Sequence, residues 1–406
     1  MTSKFDRKIK KYRGGSMPKT IYKKKIKNGK EYFFFRLRHK NLRKPKDIYA
    51  PTEKELKEKI KNITKDLDNN IKDTKEYFDT FFTEWLFNIR FLKLKETSKN
   101  IYESIYRVYI KECELSDIKV NEICVADVQK YYNNLIKKGA TPHTVVQIHK
   151  LINPFIRYLY DNDIIIKDFT RAIQLPKEDE KTKLKKAEKI NPFTLEEQKK
   201  FIQVIKGNNY EILYLTALYT GMRRGELLAL TWNDINFDKG YIDVNKTMSL
   251  VSEVSEEGRG DNKIIVQTPK TRGSIRKVDI PVPLANILRK YKIKQAESIL
   301  KSNGRYEKNN LVFCNKNGKY LAPSYVTRKL KKTLIDNGME ARRFHDLRHT
   351  YATRLFELDE NPKTVQTLLG HSNIGTTLNT YTHVLDKSKS KTVSKLEVLF
   401  NEIEAK

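Results

Sequence analysis

Apolar positions along the chain follow two periods, and the switch between them divides it. Near the N-terminus the period is two. Ile21–Lys27 and Glu31–Arg38 read as strands joined at Asn28-Gly29, a dipeptide suited to the positive φ values of a type I′ turn. In the second strand Phe33, Phe35 and Leu37 point one way, and Tyr32, Phe34, Arg36 and Arg38 the other. A third strand around Asp47–Tyr49 precedes a helix from about Thr52 to Asp68.

From Lys75 to about Leu175 the period becomes helical. Phe81, Phe82, Trp85, Leu86 and Ile89 form one apolar face, and Ile101, Ile105 and Val108 another after a cap at Thr97. Val128, Tyr131, Tyr132, Leu135 and Ile136 make a third helix ended by Gly139. Thr141 opens a fourth that runs to about Tyr160, where Pro154 predicts a kink. Pro176–Lys189 has no large apolar residue except Leu184 and reads as a linker. Thr194 and Glu197 form a capping box, so a new domain begins there. Ile212–Leu218 reads as a buried helix broken by Gly221. Tyr241–Val244, Lys263–Gln267 and Arg276–Ile280 read as strands, with Thr271–Ser274 as the turn between the last two. Further on, Leu347, Tyr351, Ala352, Leu355 and Phe356 recur at helical spacing. Asn361-Pro362 starts a helix, with Pro362 at its first position, that buries Val365, Leu368 and Leu369 and ends at Gly370. Thr376 caps a last short helix presenting Tyr381. Beyond a polar tether, Val393, Leu396, Leu399, Phe400 and Ile403 predict a tail helix.

The predicted fold class is therefore α+β and multidomain. A flexible basic arm (1–16) leads into a small three-stranded sheet plus helix (17–72) and a helical bundle (75–175). A linker (176–190) joins these to a mainly α domain with a small antiparallel sheet (191–385), followed by the tail (386–406).

Charge narrows the partner. The 406 residues hold 81 Lys and Arg against 50 Asp and Glu, a formal charge of +31. Residues 1–70 alone hold 23 against 8. Such an excess favours a polyanion, nucleic acid above all. No apolar run approaches the roughly 18 residues of a membrane span, and the basic N-terminus lacks the apolar core of a secretory signal. Cys113, Cys124 and Cys314 are scattered, which argues for a reducing cytoplasm and against a zinc site. The open face of the N-terminal sheet, with Lys23, Lys25, Tyr32, Phe34, Arg36 and Arg38, is a candidate major-groove surface. In the bundle the candidates are Lys99, Arg107, Lys137, Lys138, His143 and Lys150. A solvated charged face, or a hairpin used for oligomer contacts, accounts for the same residues without DNA.

The chemistry concentrates near the C-terminus. His345 and Arg348 form an H-x-x-R, His371 follows a helix end, and Tyr381 stands about ten residues further on. Upstream, Arg223 comes directly after a helix break in TGMRRGE. A guanidinium meets two phosphate oxygens at once and never deprotonates. HDLR, LLGH and NTY, in that order and with TGMRRGE and TPKTRGS before them, resemble the tyrosine site-specific recombinases of phages and mobile elements.

The resemblance implies roles. Arg223 and Arg348 would clamp the scissile phosphate, with Glu226 as buttress. Lys270, in TPKTRGS, would protonate the leaving 5′-oxygen. His345 would assist proton movement at Tyr381 or hold the phosphate, and His371 would donate to the phosphate. Tyr381 would be the nucleophile, forming a 3′-phosphotyrosine that stores the energy for rejoining, so no metal, nucleotide or other cofactor is implied. It further implies integration and excision of a phage or mobile element by a homotetramer on double-stranded DNA. The sheet domain would bind arm-type sites and the bundle core-type sites. An excisionase and a DNA-bending host protein are implied as partners, and the cytoplasm, at the bacterial nucleoid, as location.

Rivals share parts of this pattern. A type IB topoisomerase uses the same chemistry on one duplex, but the separate basic hairpin domain and the LLGH-to-Tyr spacing favour a recombinase. An inactive DNA-binding regulator is disfavoured because all six expected residues are present. His345 and His349 stand four apart, as zinc ligands do, yet Asp346 replaces the glutamate a zincin needs. His349 is therefore read as a packing residue or one that supports the site residues from behind, Arg224 as a structural or backbone-phosphate residue, and Lys277 as the second choice for the general acid.

Overall fold

The computed structural model describes residues 22–27, 29–39, 45–68, 76–178, 190–269, 272–375, 377–378, 381 and 400. The chain divides into two compact units: one runs to Leu92 and from Ser104 to Pro176, the other comprises Lys93–Glu103 and the chain from Lys177 onward. The basic arm, Lys270, Thr376 and, apart from Phe400, the predicted tail helix lie outside the described residues, as does the linker over 179–189.

In the first unit, β1 (Lys23–Lys27), β2 (Lys30–Leu37) and β3 (Lys46–Ala50) form an antiparallel sheet in that order, backed by α1 (Glu53–Asp68). Gly29 has φ of +74°, as the turn requires. The period-two pattern decides which face is buried. Leu37, Ile48 and Ala50 pack on Leu56 of α1, with Phe33 and Phe35 beside them. On the other face the Lys25 ammonium lies 3.8 Å from the centre of the Phe34 ring, itself 5.2 Å from Tyr49. Arg36 there grips Asp47 through two bonds of 2.6 and 2.8 Å.

The unit's helices include α2 (Phe78–Glu84), α4 (Val125–Lys137) and α5 (Pro142–Asp161); α3 (Glu96–Ile105) belongs to it only from Ser104. Thr141 caps α5 at the Thr144 N–H, and Pro154 lies inside that helix without ending it. Phe78, Phe82, Trp85 and Phe155 form the aromatic core. Two predicted faces are corrected. Ile89, Ile101 and Val108 are exposed, while Phe91, Tyr106 and Ile110 are buried. Both α2 and α3 run on into π-helical turns, at Trp85–Arg90 and Tyr106–Ile110. An i→i+5 turn takes in an extra residue, which moves Ile89 and Val108, both within these turns, off a 3.6-residue face; Ile101, ahead of the second turn, is exposed on the regular part of α3.

The second unit opens at the predicted capping box: Thr194 Oγ1 accepts from the Glu197 N–H at 3.1 Å and Glu197 accepts from the Thr194 N–H at 2.9 Å, starting α6 (Leu195–Val204). Helix α7 (Glu211–Thr220) is apolar on nearly every side and sits in the core. Gly221 ends it in the left-handed region, where an added Cβ would lie 2.4 Å from the Tyr351 ring. Then come α8 (Arg224–Ala229), β4 (Ile235–Asn236), β5 (Tyr241–Val244), β6 (Thr247–Ser255), β7 (Gly258–Gln267) and β8 (Arg276–Asp279). The helices α9 (Val282–Lys301), α10 (Pro323–Asp336), α11 (Phe344–Glu357) and α12 (Pro362–Leu369) follow, and residues 374–375, 377–378 and 381 are helical as well.

The strand pairing differs from the expectation. Lys263–Gln267 pairs with Thr247–Ser255, a strand absent from the sequence reading, whereas Arg276–Asp279 pairs with Tyr241–Val244. Residues 272–274 therefore form a 3₁₀ turn linking two sheets, not a hairpin turn. Alternation marks a segment as a strand but carries no information about its partner. Among the described residues no helix is long and apolar enough to cross a membrane.

Candidate active site

Three arginines from three elements meet at the end of α12. Its last carbonyls have no partner within the helix and carry the negative end of its dipole. Arg276 Nε, on β8, donates to the Leu368 carbonyl at 2.9 Å. Arg348 Nη2, on α11, donates to Leu369 at 2.7 Å, and Arg223 Nη2, at the start of α8, donates to Gly370 at 3.0 Å. Arg348 also donates to the Gly221 carbonyl at 2.7 Å, which ties the helix break after α7 to the same centre. Gly370 makes this approach feasible: it ends α12 with φ of +65°, and a Cβ there would come within 3.0 Å of Arg276 Cδ and the Gly273 carbonyl.

Glu226 holds two of the cations. It accepts from the Arg223 N–H at 2.9 Å and from Arg223 Nη1 at 2.8 Å. Arg276 reaches both its oxygens, at 3.2 and 3.0 Å. Burial alone would raise its pKa, but Arg276 and then Arg223 hold it below the ordinary carboxylate value. Three guanidiniums thus face one carboxylate. Burial, then Arg223 and Arg276, depress the pKa of Arg348, as expected of a cation crowded by cations. The centre is two charges short of neutral and suited to an anion.

Next to it stands a group of neutral imidazoles. His371 follows Gly370 and has Nδ1 2.8 Å from Thr377 Oγ1. Burial, with Arg348 and Arg223, pushes its pKa down to about 4. His345 presents an open edge to solvent; the protein atoms packed around the rest of its ring, with His349, Arg348 and Arg223, lower its pKa. His349 Nδ1 lies 2.8 Å from the Tyr381 hydroxyl. Tyr381 itself is 1% exposed, packed against Ala352, Phe356, Val365 and Leu369. Burial raises its pKa, and Arg348 partly opposes this. A cleft of about 520 Å³, lined by Arg223, Glu226, Ser249, Gln267, His371 and Ser372 among others, opens beside the arginines.

Comparison with known proteins places the chain in a family. Over 386 residues the chain is 35% identical to the "Tyrosine recombinase XerC-like" protein of Caldanaerobacter subterraneus subsp. tengcongensis, covering 92% of this chain and 98% of that one. The chain belongs to the tyrosine recombinases, enzymes of site-specific DNA recombination. Residues 191–388 match the model of the phage integrase family. The integrase of Staphylococcus phage L54a is 25% identical over 365 residues, covering 86% of this chain and 98% of that one. A solved structure of the Tn1549 transposon integrase with a circular intermediate DNA shares the fold, with a TM-score of 0.58 at 19% identity over 79% of this chain and 99% of that one.

In this recombinase the predicted residues Arg223, Glu226, His345, Arg348, His371 and Tyr381 fall in one region of the second unit, while Lys270 lies outside the described residues. Thr268 and Pro269, just before it, line the cleft. Three further residues find their places. Of the two readings of His349 the supporting one fits, since it, not His345, meets the Tyr381 hydroxyl. It lies one helical turn beyond His345 and three residues before Ala352, which packs on the tyrosine. Arg224 is structural, donating to Thr327 Oγ1 at 2.6 Å and to the Pro323 carbonyl at 3.3 Å. Lys277 lies on the face of β8 opposite Arg276, with its ammonium 4.6 Å from the centre of the Tyr241 ring.

Arg276 went unpredicted, although its signal was present. It shares the inward face of its strand with Val278 and Ile280, and an arginine there needs a buried partner. Of the DNA-contact candidates, Lys23, Lys25 and Arg38 are exposed and Tyr32 and Phe34 half-buried. Lys99 pairs with Glu96 at 2.7 Å and Lys138 with Glu114 at 3.0 Å. His143 lies 3.4 Å from Gln147, and Arg107, Lys137 and Lys150 are exposed.

Proposed function

We propose that this recombinase integrates and excises a phage or mobile element by cutting and rejoining duplex DNA through Tyr381. The observation that carries the proposal is the excess of guanidinium charge at the end of α12, beside a buried tyrosine hydroxyl. A phosphodiester placed there meets Arg223 and Arg348, with Arg276 and Glu226 fixing their positions. Charge builds on phosphorus as the tyrosine oxygen attacks, and prearranged cations stabilise that state more than the ground state. His371 and His345, neutral when the site is empty, donate to the phosphate. The 5′-oxygen leaves with a proton from Lys270, and the 3′-phosphotyrosine conserves the bond energy for rejoining.

The domain roles accord with the same chemistry. Residues 17–72 bind arm-type sites, 75–175 grip the core site, 191–385 carry the chemistry, and the tail over 386–406 docks on a neighbouring protomer. Strand exchange between two sites then takes four subunits on the DNA, with an excisionase and a DNA-bending host protein setting direction.

The test is adduct formation on a nicked duplex carrying the crossover site, recovered by sequencing the DNA junctions beside the gene. Tyr381→Phe is expected to leave no covalent adduct while binding DNA as before. An adduct in that variant would remove the assignment. Arg223→Ala and Arg348→Ala are each expected to slow cleavage by about 100-fold or more.

A further inference from the structure

The hydroxyl of Tyr381 has to lose its proton as it attacks, and burial makes that harder. Its partner is a histidine that the proposed chemistry leaves without a task. His349 Nδ1 lies at 2.8 Å, well inside hydrogen-bond range, and the two rings are 5.8 Å apart between centres. The pair is held from both sides. Tyr381 is packed on Phe356, with 5.4 Å between ring centres, and the His349 ring meets His345 edge to face at 4.8 Å. We propose that His349 is the general base of strand cleavage, taking the Tyr381 proton on Nδ1 as the phenolic oxygen attacks phosphorus.

The step balances. The O–H bond of Tyr381 breaks and its proton passes to His349; the Tyr381 oxygen bonds to phosphorus; the bond from phosphorus to the 5′-oxygen breaks; and that oxygen takes a proton from the acid on the opposite side. Rejoining runs the same transfers backwards, with His349 returning the proton to Tyr381. The imidazole suits the task because it is neutral before reaction. Burial keeps it so, helped by Arg343 just ahead of its helix, Arg348 on it and the His371 ring beyond the end of α12, with His345 one turn away. The proposal rests on Tyr381 being the nucleophile. It moves proton transfer at Tyr381 from His345 to His349, leaving His345 to the phosphate.

The test uses the full chain and a nicked crossover-site duplex whose scissile 5′-bridging oxygen is replaced by sulfur. A thiolate leaves without a proton, so the rate reports deprotonation of the tyrosine. His349→Asn keeps an oxygen near the position of Nδ1 that accepts a hydrogen bond but takes no proton. It is expected to bind DNA normally, to cleave about 100-fold or more slowly, and to speed up about tenfold per pH unit, where the parent chain is nearly flat around neutrality. His349→Ala is expected to recover activity in added imidazole. Parent-like rates in His349→Asn would overturn the proposal. So would a slow variant with the parent's pH profile and no rescue of the alanine form, since that marks a positioning role. If His349→Ala does not fold, the asparagine variant decides alone. Tyr381→Phe, run alongside, separates the two ideas: an adduct there removes the nucleophile itself, whereas its absence assigns any failure to His349.

Discussion

Arg276 shows how one side chain sets the chemistry of others. Its guanidinium is only 6% exposed and Glu226 only 3%, so the pair is sealed from water. Removing one partner of such a pair costs about 3–5 kcal/mol, because the other charge stays buried. Arg276→Met is accordingly expected to lower unfolding stability by that amount in urea titration, and to slow cleavage because Glu226 and the end of α12 lose a fixed point. The pH dependence has a definite sign. The Glu226 carboxyl is held below its ordinary 4.5, so it stabilises the fold above that value and stops doing so as pH falls through its lower folded value. Glu226→Gln, though less stable at neutral pH, is expected to show a shallower acid limb when the unfolding midpoint is tracked from pH 6 to 3.

Among the elements, α12 has the largest effect for its size. It is eight residues long, and its caps were legible in the sequence: Asn361 accepts from the Lys363 N–H at 2.8 Å, and Gly370 takes the left-handed conformation. That its last turn would collect three arginines was not legible, since they come from positions 223, 276 and 348, on other elements. Gly370→Ala tests the arrangement. A left-handed alanine costs roughly 1–2 kcal/mol, and its methyl would press on Arg276. The variant is expected to lose that stability in thermal unfolding and at least about tenfold in cleavage rate. The π-helical turns after α2 and α3 teach a related lesson: a 3.6-residue template located the helices but turned their later faces the wrong way.

For the whole molecule, the distribution of charge gives the sharpest expectation. Residues 1–70 hold 23 basic against 8 acidic side chains, and Arg36 among them already spends its guanidinium on Asp47. Deleting this segment is expected to weaken binding to long attachment sites, spare the core site and flatten the dependence of affinity on salt. An unchanged slope in filter-binding titrations would show that the segment touches no DNA. Deleting 390–406 is expected to impair pairing of two sites, read on native gels, while binding to one core site persists.

The sequence by itself determined whatever depends on neighbours in the chain. Capping boxes, helix breaks and strand alternation act over a few residues, and Thr194 with Glu197, Gly221 and Phe33 with Phe35 behave as their local chemistry requires. The motifs around Arg223, His345, Arg348, His371 and Tyr381 were legible because their spacing is itself local. Tertiary structure alone decided which strand Lys263–Gln267 pairs with, that Arg276 joins Glu226, and which of two histidines one turn apart meets the tyrosine. Those choices join residues far apart in the chain. They depend on the packing of Tyr381 against Phe356 and Leu369 and on where α12 ends, and no local pattern encodes either.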